Sequence, residues 1–293
     1  KIDVKNVRIN SGGGGTNTAA SFVNQGFRAA YCGAVGNDIA GKEIVEELKR
    51  LGVKTDFVVF KKEKKTDHSI ILSGGEKKDR VILVYQGASK LLCDKDIPWK
   101  KIKACLSPGG WFYLAPLSGK IAKLTEKIIN FAHKNGVRVA LNPGNSQISL
   151  SIKKISPILK KADVLFLNQE EASLLTKINF QEEEKILKKL SELSKGILVI
   201  TKGAEGVVVL DKNNLYRAGV QKIKVADSTG AGDSFAAGFI SGLIKENDIV
   251  YAIQLGTANS ASCLKMVGAQ NGLLKKEEKF AKIKVEKKAL TDF

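Results

Sequence analysis

Histidine is nearly absent from this chain: His68 and His133 are the two in 293 residues. Histidine-based acid–base chemistry and serine-hydrolase triads therefore have little to work with. His133 falls in an amphipathic helical stretch, where a structural role is the simpler reading, and His68 opens an expected strand. Cysteine is as sparse. Cys32, Cys93, Cys105 and Cys263 are scattered with no C-x-x-C pair, which argues against structural zinc and fits reduced thiols in a cytosolic protein. No apolar run approaches the length of a membrane span, and no charged-then-apolar leader opens the sequence, so a cytoplasmic protein without a membrane partner is expected. Arginine is scarce too, six of 48 basic residues, and aromatics make up 6%. Nucleic-acid recognition leans on both. The net charge of +18 thus reads as a solvated lysine surface (Lys153-Lys154, Lys160-Lys161, Lys188-Lys189 and the tail from Lys275) that steers anionic substrates, with no nucleic-acid partner.

What is present is a strand–helix rhythm. Hydrophobic residues make up 43%, enough for a large core. From about residue 109, strands are expected at 111–114, 137–141, 164–167 and 197–200, with a hairpin-like pair at 207–210 and 215–218. Helices are expected at 120–134, 152–161, 169–176, 182–193, 234–245 and 248–266. This alternation predicts an α/β fold with a doubly wound, mostly parallel central sheet flanked by helices. Earlier, helices at 16–25 and 39–51, closed by Gly26 and Gly52, flank a short strand at 29–32. Strands at 68–72 and 80–85, joined through Gly74-Gly75, read as a small antiparallel flap. The expectation is a single α/β domain over 1–293, with a small β lid from about 1–11 and 60–90.

One segment carries the chemistry. Asp227-Ser228-Thr229-Gly230-Ala231-Gly232-Asp233-Ser234-Phe235 joins a polar, glycine-rich turn to an apolar helical stretch. Glycines 230 and 232 let the backbone approach a ligand. The first amides of the following helix lack intrahelical partners and carry the positive end of its dipole, which suits a phosphate. Asp233 beside an anion makes poor sense for binding alone. It makes sense as a base that accepts a proton from a hydroxyl attacking phosphorus. The same residues also suit a plain capped helix start.

Gly12-Gly13-Gly14-Gly15-Thr16-Asn17 is either a flexible linker or a loop lying against a polar ligand, with Asn17 offering both donor and acceptor. Gly36-Asn37-Asp38-Ile39-Ala40-Gly41-Lys42-Glu43 almost spells a P-loop. Glu43 stands where Ser or Thr must hold Mg²⁺, so a helix-opening turn is the better reading. No G-x-G-x-x-G follows the first strand, which excludes a Rossmann-type NAD site.

Together these segments resemble the ribokinase-like (PfkB) carbohydrate kinases. Residues 227–235 match the signature D-[ST]-[ST]-G-A-G-D-x-F. Gly13, Gly14, Asn17, Ala19, Gly26, Gly33, Val35, Gly36, Asp38 and Gly41 match the N-terminal one. Asn168-Gln169-Glu170-Glu171 resembles the family's N-x-x-E, and Thr201-Lys202-Gly203-Ala204-Glu205-Gly206 its T-x-G-x-x-G nucleotide loop. Asn142-Pro143 and Gln86-Gly87-Ala88-Ser89 resemble sugar-kinase members, and the likeness spans roughly residues 12–272.

The resemblance implies a ribokinase-like fold and an ATP-dependent phosphotransferase acting on an alcohol group. The acceptor it implies is the hydroxymethyl group of a sugar such as ribose or fructose. A nucleoside kinase for adenosine, inosine or cytidine is the alternative inside the family, and a non-catalytic nucleotide-binding relative a further one. By the same resemblance Asp233 is the general base, and Gly230, Ala231 and Gly232 form the anion hole. Gly13, Gly14, Asn17 and Asp233 would contact the sugar. Asn168, Thr201, Gly203, Gly206, Gly230, Gly232 and Asn259 would take the nucleotide. Asn168 and Glu171 would organise Mg²⁺, largely through water, and Asp227 with the Gly268 region would hold a monovalent cation such as K⁺. Homodimers through the lid are also implied. The family's opening strand, with its Gly-Asp and second Asp, has no counterpart in the eleven residues before the glycine run, where Asp3 lacks that context. Its true start is expected to lie upstream.

Overall fold

A computed structural model of the chain describes residues 4, 6–73 and 80–290. It opens with two small sheets. β1 (Ala30–Gly36) and β2 (Lys54–Lys61) pair in parallel around the helix Ile39–Arg50, and β3 (His68–Ser73) and β4 (Arg80–Tyr85) form an antiparallel ribbon. Of the two stretches expected in the lid, 60–90 supplies both ribbon strands, while the described residues among 1–11 lie in no strand. The expected Gly74-Gly75 junction and Asp3 lie outside the described residues.

The main sheet holds seven strands: β5 (Trp111–Leu114), β6 (Arg138–Leu141), β7 (Val164–Asn168), β8 (Ile197–Thr201), β9 (Val207–Leu210), β10 (Asn214–Ala218) and β11 (Val285–Ala289). They lie side by side in chain order, β5 to β8 parallel and β8 to β11 antiparallel. Parallel neighbours need a crossover, and helices supply it, which is why the central strands are apolar on both faces. Val139, Leu141, Leu165, Leu167, Leu198 and Ile200 face one core, shared with the helices Thr125–Lys134, Ile152–Leu159 and Glu183–Leu193. The alternate residues Ala140, Val164, Phe166 and Val199 face the other, shared with Phe235, Phe239, Ile240 and Ile253. Strand period two separates the two sets.

The second core holds the pair of helices Ala231–Glu246 and Ile249–Cys263. They approach closely because three glycines stand between them. A Cβ on Gly242 would lie 2.5 Å from Ala252 Cα, and one on Gly238 would lie 2.9 Å from Gly256 Cα. Phe239 is fully buried beside them, and its truncation to alanine would cost about 3–5 kcal/mol. The helix carrying the 227–235 segment is thus clamped on a rigid base.

Two strands escape the sequence reading. β2 carries apolar residues on a lysine-flanked run, and β11 reads Val-Glu-Lys-Lys-Ala, almost wholly exposed. β11 is an edge strand, and charge on an edge blunts further pairing while erasing the apolar signal. The expected helix 120–134 is split into Gly119–Ala122 and Thr125–Lys134, and the helix expected at 234 starts at Ala231. The P-loop look-alike is a helix opening. Asp38 caps it through Gly41 N and also accepts from Thr66 N and Oγ1, which holds its carboxyl down at about 2. Among the described residues no helix is long and apolar enough to cross a membrane.

Candidate active site

Gly230 is the N-cap of the helix Ala231–Glu246, with φ +81. That left-handed conformation suits glycine, and a Cβ there would also lie 2.5 Å from Ala269 Cβ. The turn is therefore closed tightly, and Gly232 and Asp233 fall in the first helical turn, where amides lack intrahelical acceptors. Asp227 fastens the approach. Its Oδ1 accepts from Thr229 N (2.9 Å) and Thr229 Oγ1 (2.8 Å), and its Oδ2 from Gly268 N (3.1 Å).

The glycine run meets this turn from the other end of the chain. The first helix starts inside it, at Gly14, so Asn17 stands one turn in. Asn17 Nδ2 donates to Asp233 Oδ2 at 2.8 Å, and a Cβ on Gly14 would lie 3.2 Å from Asp233 Oδ1. Gly13, at φ +106, shapes the entry. Burial raises the Asp233 carboxyl above its ordinary value, and the Asn17 bond pulls it back in part.

On the sheet, β7 and β8 end in register, with Asn168 beside Thr201. The C-terminal edge of a parallel sheet is where such folds place ligands. Asn168 Oδ1 accepts from Glu171 N and Glu171 Oε2 accepts from Asn168 N, both at 2.8 Å, a reciprocal cap on the helix Gln169–Thr176. Burial raises the Glu171 carboxyl, while the Asn168 amide and the Asn142 side chain oppose the shift. The Tyr113 hydroxyl is pushed up first by burial and then by the Asp233 and Glu171 carboxylates.

Beyond Thr201, the nucleotide-loop candidates Gly203 and Gly206 take φ +57 and +99, and Lys202 N closes the loop on Gly206 O at 2.8 Å. Lys202 Nζ lies 2.9 Å from Glu183, which also pairs with Arg217. Sequence reasoning passed over this tie, because Glu183 reads as an ordinary charge in a helix's first turn.

Asn259 requires a correction. It is fully buried, its Nδ2 donates to Ser21 Oγ (2.8 Å) and Ser234 O (2.7 Å), and its Oδ1 accepts from Leu274 N (2.9 Å). Its side-chain amide is engaged inside the protein, where it ties helices together.

A cleft of about 3440 Å³ runs beneath the ribbon, lined by Gly13, Gly14, Asn17, Glu171, Asp227 and Gly268. The cleft continues between β1 and β5, which share no ladder, while Asp233, Gly230, Gly232, Asn168, Thr201, Gly203 and Gly206 do not line it. Among the described residues no three His, Cys, Asp or Glu side chains converge as a metal cluster. Asn168 and Glu171 still offer hard oxygen donors of the kind Mg²⁺ takes together with water and phosphate. Asp227 already serves three protein donors, so K⁺ would fit there mainly through backbone carbonyls.

Residues 1–276 match the sequence profile described as pfkB family carbohydrate kinase. The chain is similar to a ribokinase of Haemophilus influenzae, 30% identical over 278 residues, covering 94% of this chain and 87% of that one. It is similar to a nucleoside kinase of Methanothermobacter thermautotrophicus, 22% identical over 271 residues, covering 92% and 83%. In fold it is similar to the Arabidopsis thaliana ribokinase solved with ribose and ATP, with a TM-score of 0.79 at 22% identity over 94% of this chain and 88% of that one.

Proposed function

The chain belongs to the pfkB family of carbohydrate kinases, and from that premise we propose that it transfers the γ-phosphoryl group of ATP to a hydroxymethyl group of a sugar such as ribose or fructose. The observation that carries this reading is the Asp233 carboxylate, held by Asn17 in the first turn of the helix Ala231–Glu246. Asp233 takes the proton of the attacking hydroxyl, the oxygen bonds to the γ-phosphorus, and the bond to the β-phosphate oxygen breaks to release ADP. The backbone of Gly230, Ala231 and Gly232 stabilises the charge that develops on the transferred group. Gly13, Gly14 and Asn17 hold the sugar, and Thr201, Gly203 and Gly206 with Asn168 hold the nucleotide. Asn168 and Glu171 would hold Mg²⁺ through water, and the ion would neutralise phosphate charge when bound.

The chain works as a single domain whose β3–β4 ribbon closes over the sugar. Val81 and Leu83 on that ribbon are 57% and 54% exposed and do not line the cleft. An apolar face of this kind suits a second copy of the chain, so the working form is a homodimer through the lid. ATP as phosphoryl donor makes the cytoplasm the working compartment.

A nucleoside acceptor is the second reading, favoured by the similarity to the Methanothermobacter nucleoside kinase, and it calls on the same groups of this chain. ATP consumption across ribose, fructose, 2-keto-3-deoxygluconate, adenosine, inosine and cytidine separates the two. Turnover of a sugar is expected. Turnover of nucleosides alone would replace the sugar reading, and no turnover of any of them would reject both acceptor readings.

A further inference from the structure

Gln270 follows the Gly268-Ala269 turn and reaches back to the glycine run. Its Nε2 lies 3.2 Å from Asn17 Oδ1 and 3.4 Å from Thr16 Oγ1. Thr16 spends its own proton on Gly12 O (2.8 Å) or Gly13 O (2.9 Å), so it shows Gln270 a lone pair. At the far end of the row stands Asp233, whose ionised carboxylate is acceptor only. The end of the Asn17 amide that meets it must therefore be the NH₂, which leaves the Asn17 carbonyl facing Gln270 and in need of a donor. The Gln270 NH₂ is that donor. The choice has a cost: Gln270 Oε1 is buried with no hydrogen-bond partner among the described residues. Reversing the Gln270 amide would set two carbonyl oxygens against each other, so the unsatisfied acceptor is the consequence of keeping a donor on Asn17.

We propose that Gln270 is a positioning residue for the general base, locking the Asn17 amide so that its NH₂ stays on Asp233. The proposal rests on the reading of Asp233 as that base. Without the lock, the Asn17 amide is free to turn by half a rotation once Asp233 takes up a proton, and its Oδ1 then accepts from the carboxyl O–H. The protonated form gains a hydrogen bond that the lock denies it, so protonated Asp233 is favoured. The other titratable groups around Asp233 are the Tyr113 hydroxyl and the Cys263 thiol, with Glu171 and Asp227 acting on these in turn. Burial keeps both Tyr113 and Cys263 protonated through the carboxylate range, so neither changes charge beside Asp233 while it titrates.

The test is the titration of Asp233 itself, followed by the side-chain carboxyl ¹³C resonance in protein labelled at aspartate, with no ligand added. Asp233→Asn identifies the resonance by its loss. Gln270→Met keeps length and volume while removing the donor, and Gln270→Leu serves if the Met variant does not fold. An Asp233 midpoint moved up by roughly half a pH unit or more is expected. A midpoint equal to that of the parent protein, or lower, would overturn the positioning role. Failure of the underlying reading looks different: Asp233→Asn would then still consume ATP with its acceptor, whatever the Gln270 variants do.

Discussion

Asn17 and Asp233, 216 positions apart in the chain, share a 2.8 Å hydrogen bond in which the amide donates to the carboxylate. The bond joins the N-terminal glycine run to the first turn of the Ala231–Glu246 helix. It places the loop proposed to hold the sugar against the carboxylate proposed as the base.

Asp233→Asn removes the proton acceptor while keeping shape. Turnover should fall by about 10²–10⁴-fold or more, with ATP binding nearly unchanged. ATP consumption and calorimetric ATP binding measure the two separately. Retained turnover would remove Asp233 from the base role.

The pH profile follows from the same residue. Burial lifts the Asp233 carboxyl above its ordinary value of 3.8. A base works only when ionised, so kcat should be full at higher pH and fall as pH drops through that raised value. Asn17→Ala removes the bond that opposes the lift, and the acid limb of kcat should then move to higher pH. A limb that stays put would show that Asn17 does not act on the charge of Asp233.

Glu183 braces the loop proposed to hold the nucleotide through Lys202 at 2.9 Å and also pairs with Arg217. Burial alone would raise its carboxyl, but Lys202 and Arg217 together hold it below the ordinary range. Glu183→Gln removes a half-buried pair worth about 1 kcal/mol, so KM for ATP should rise roughly fivefold with kcat little changed. Equal losses in kcat and kcat/KM would instead point to a transition-state role.

The lid predicts its own assembly state. Light scattering should give twice the 31.7 kDa chain mass, and charge placed at Val81 and Leu83, as Val81→Glu with Leu83→Glu, should return it to one. A parent protein that is monomeric at micromolar concentration rejects the dimer.

Much of this was legible before any coordinates. Apolar runs alternating with helical stretches marked β5 to β9, because a strand covered on both faces must be largely apolar. The 227–235 segment was legible as an anion turn holding an acid, since its glycines, its acid and its helix all lie within nine residues. β11 was not legible, because an exposed edge strand carries no burial signal. Asn259 read as a ligand group, and only its three buried partners show that it is structural. Gln270 had no signal at all.

The division has a physical cause. Periodicity and turn chemistry are local: they record which face of an element meets the core and where the backbone must bend, and from them came the fold class and the identity of Asp233. Which end of the Asn17 amide meets that carboxylate, and which residue keeps it there, depends on three segments, the first lying more than two hundred positions from the other two. Their meeting is set by the order in which strands and helices pack, so the loop with its acid belonged to the sequence, and the acid's partners belonged to the tertiary structure.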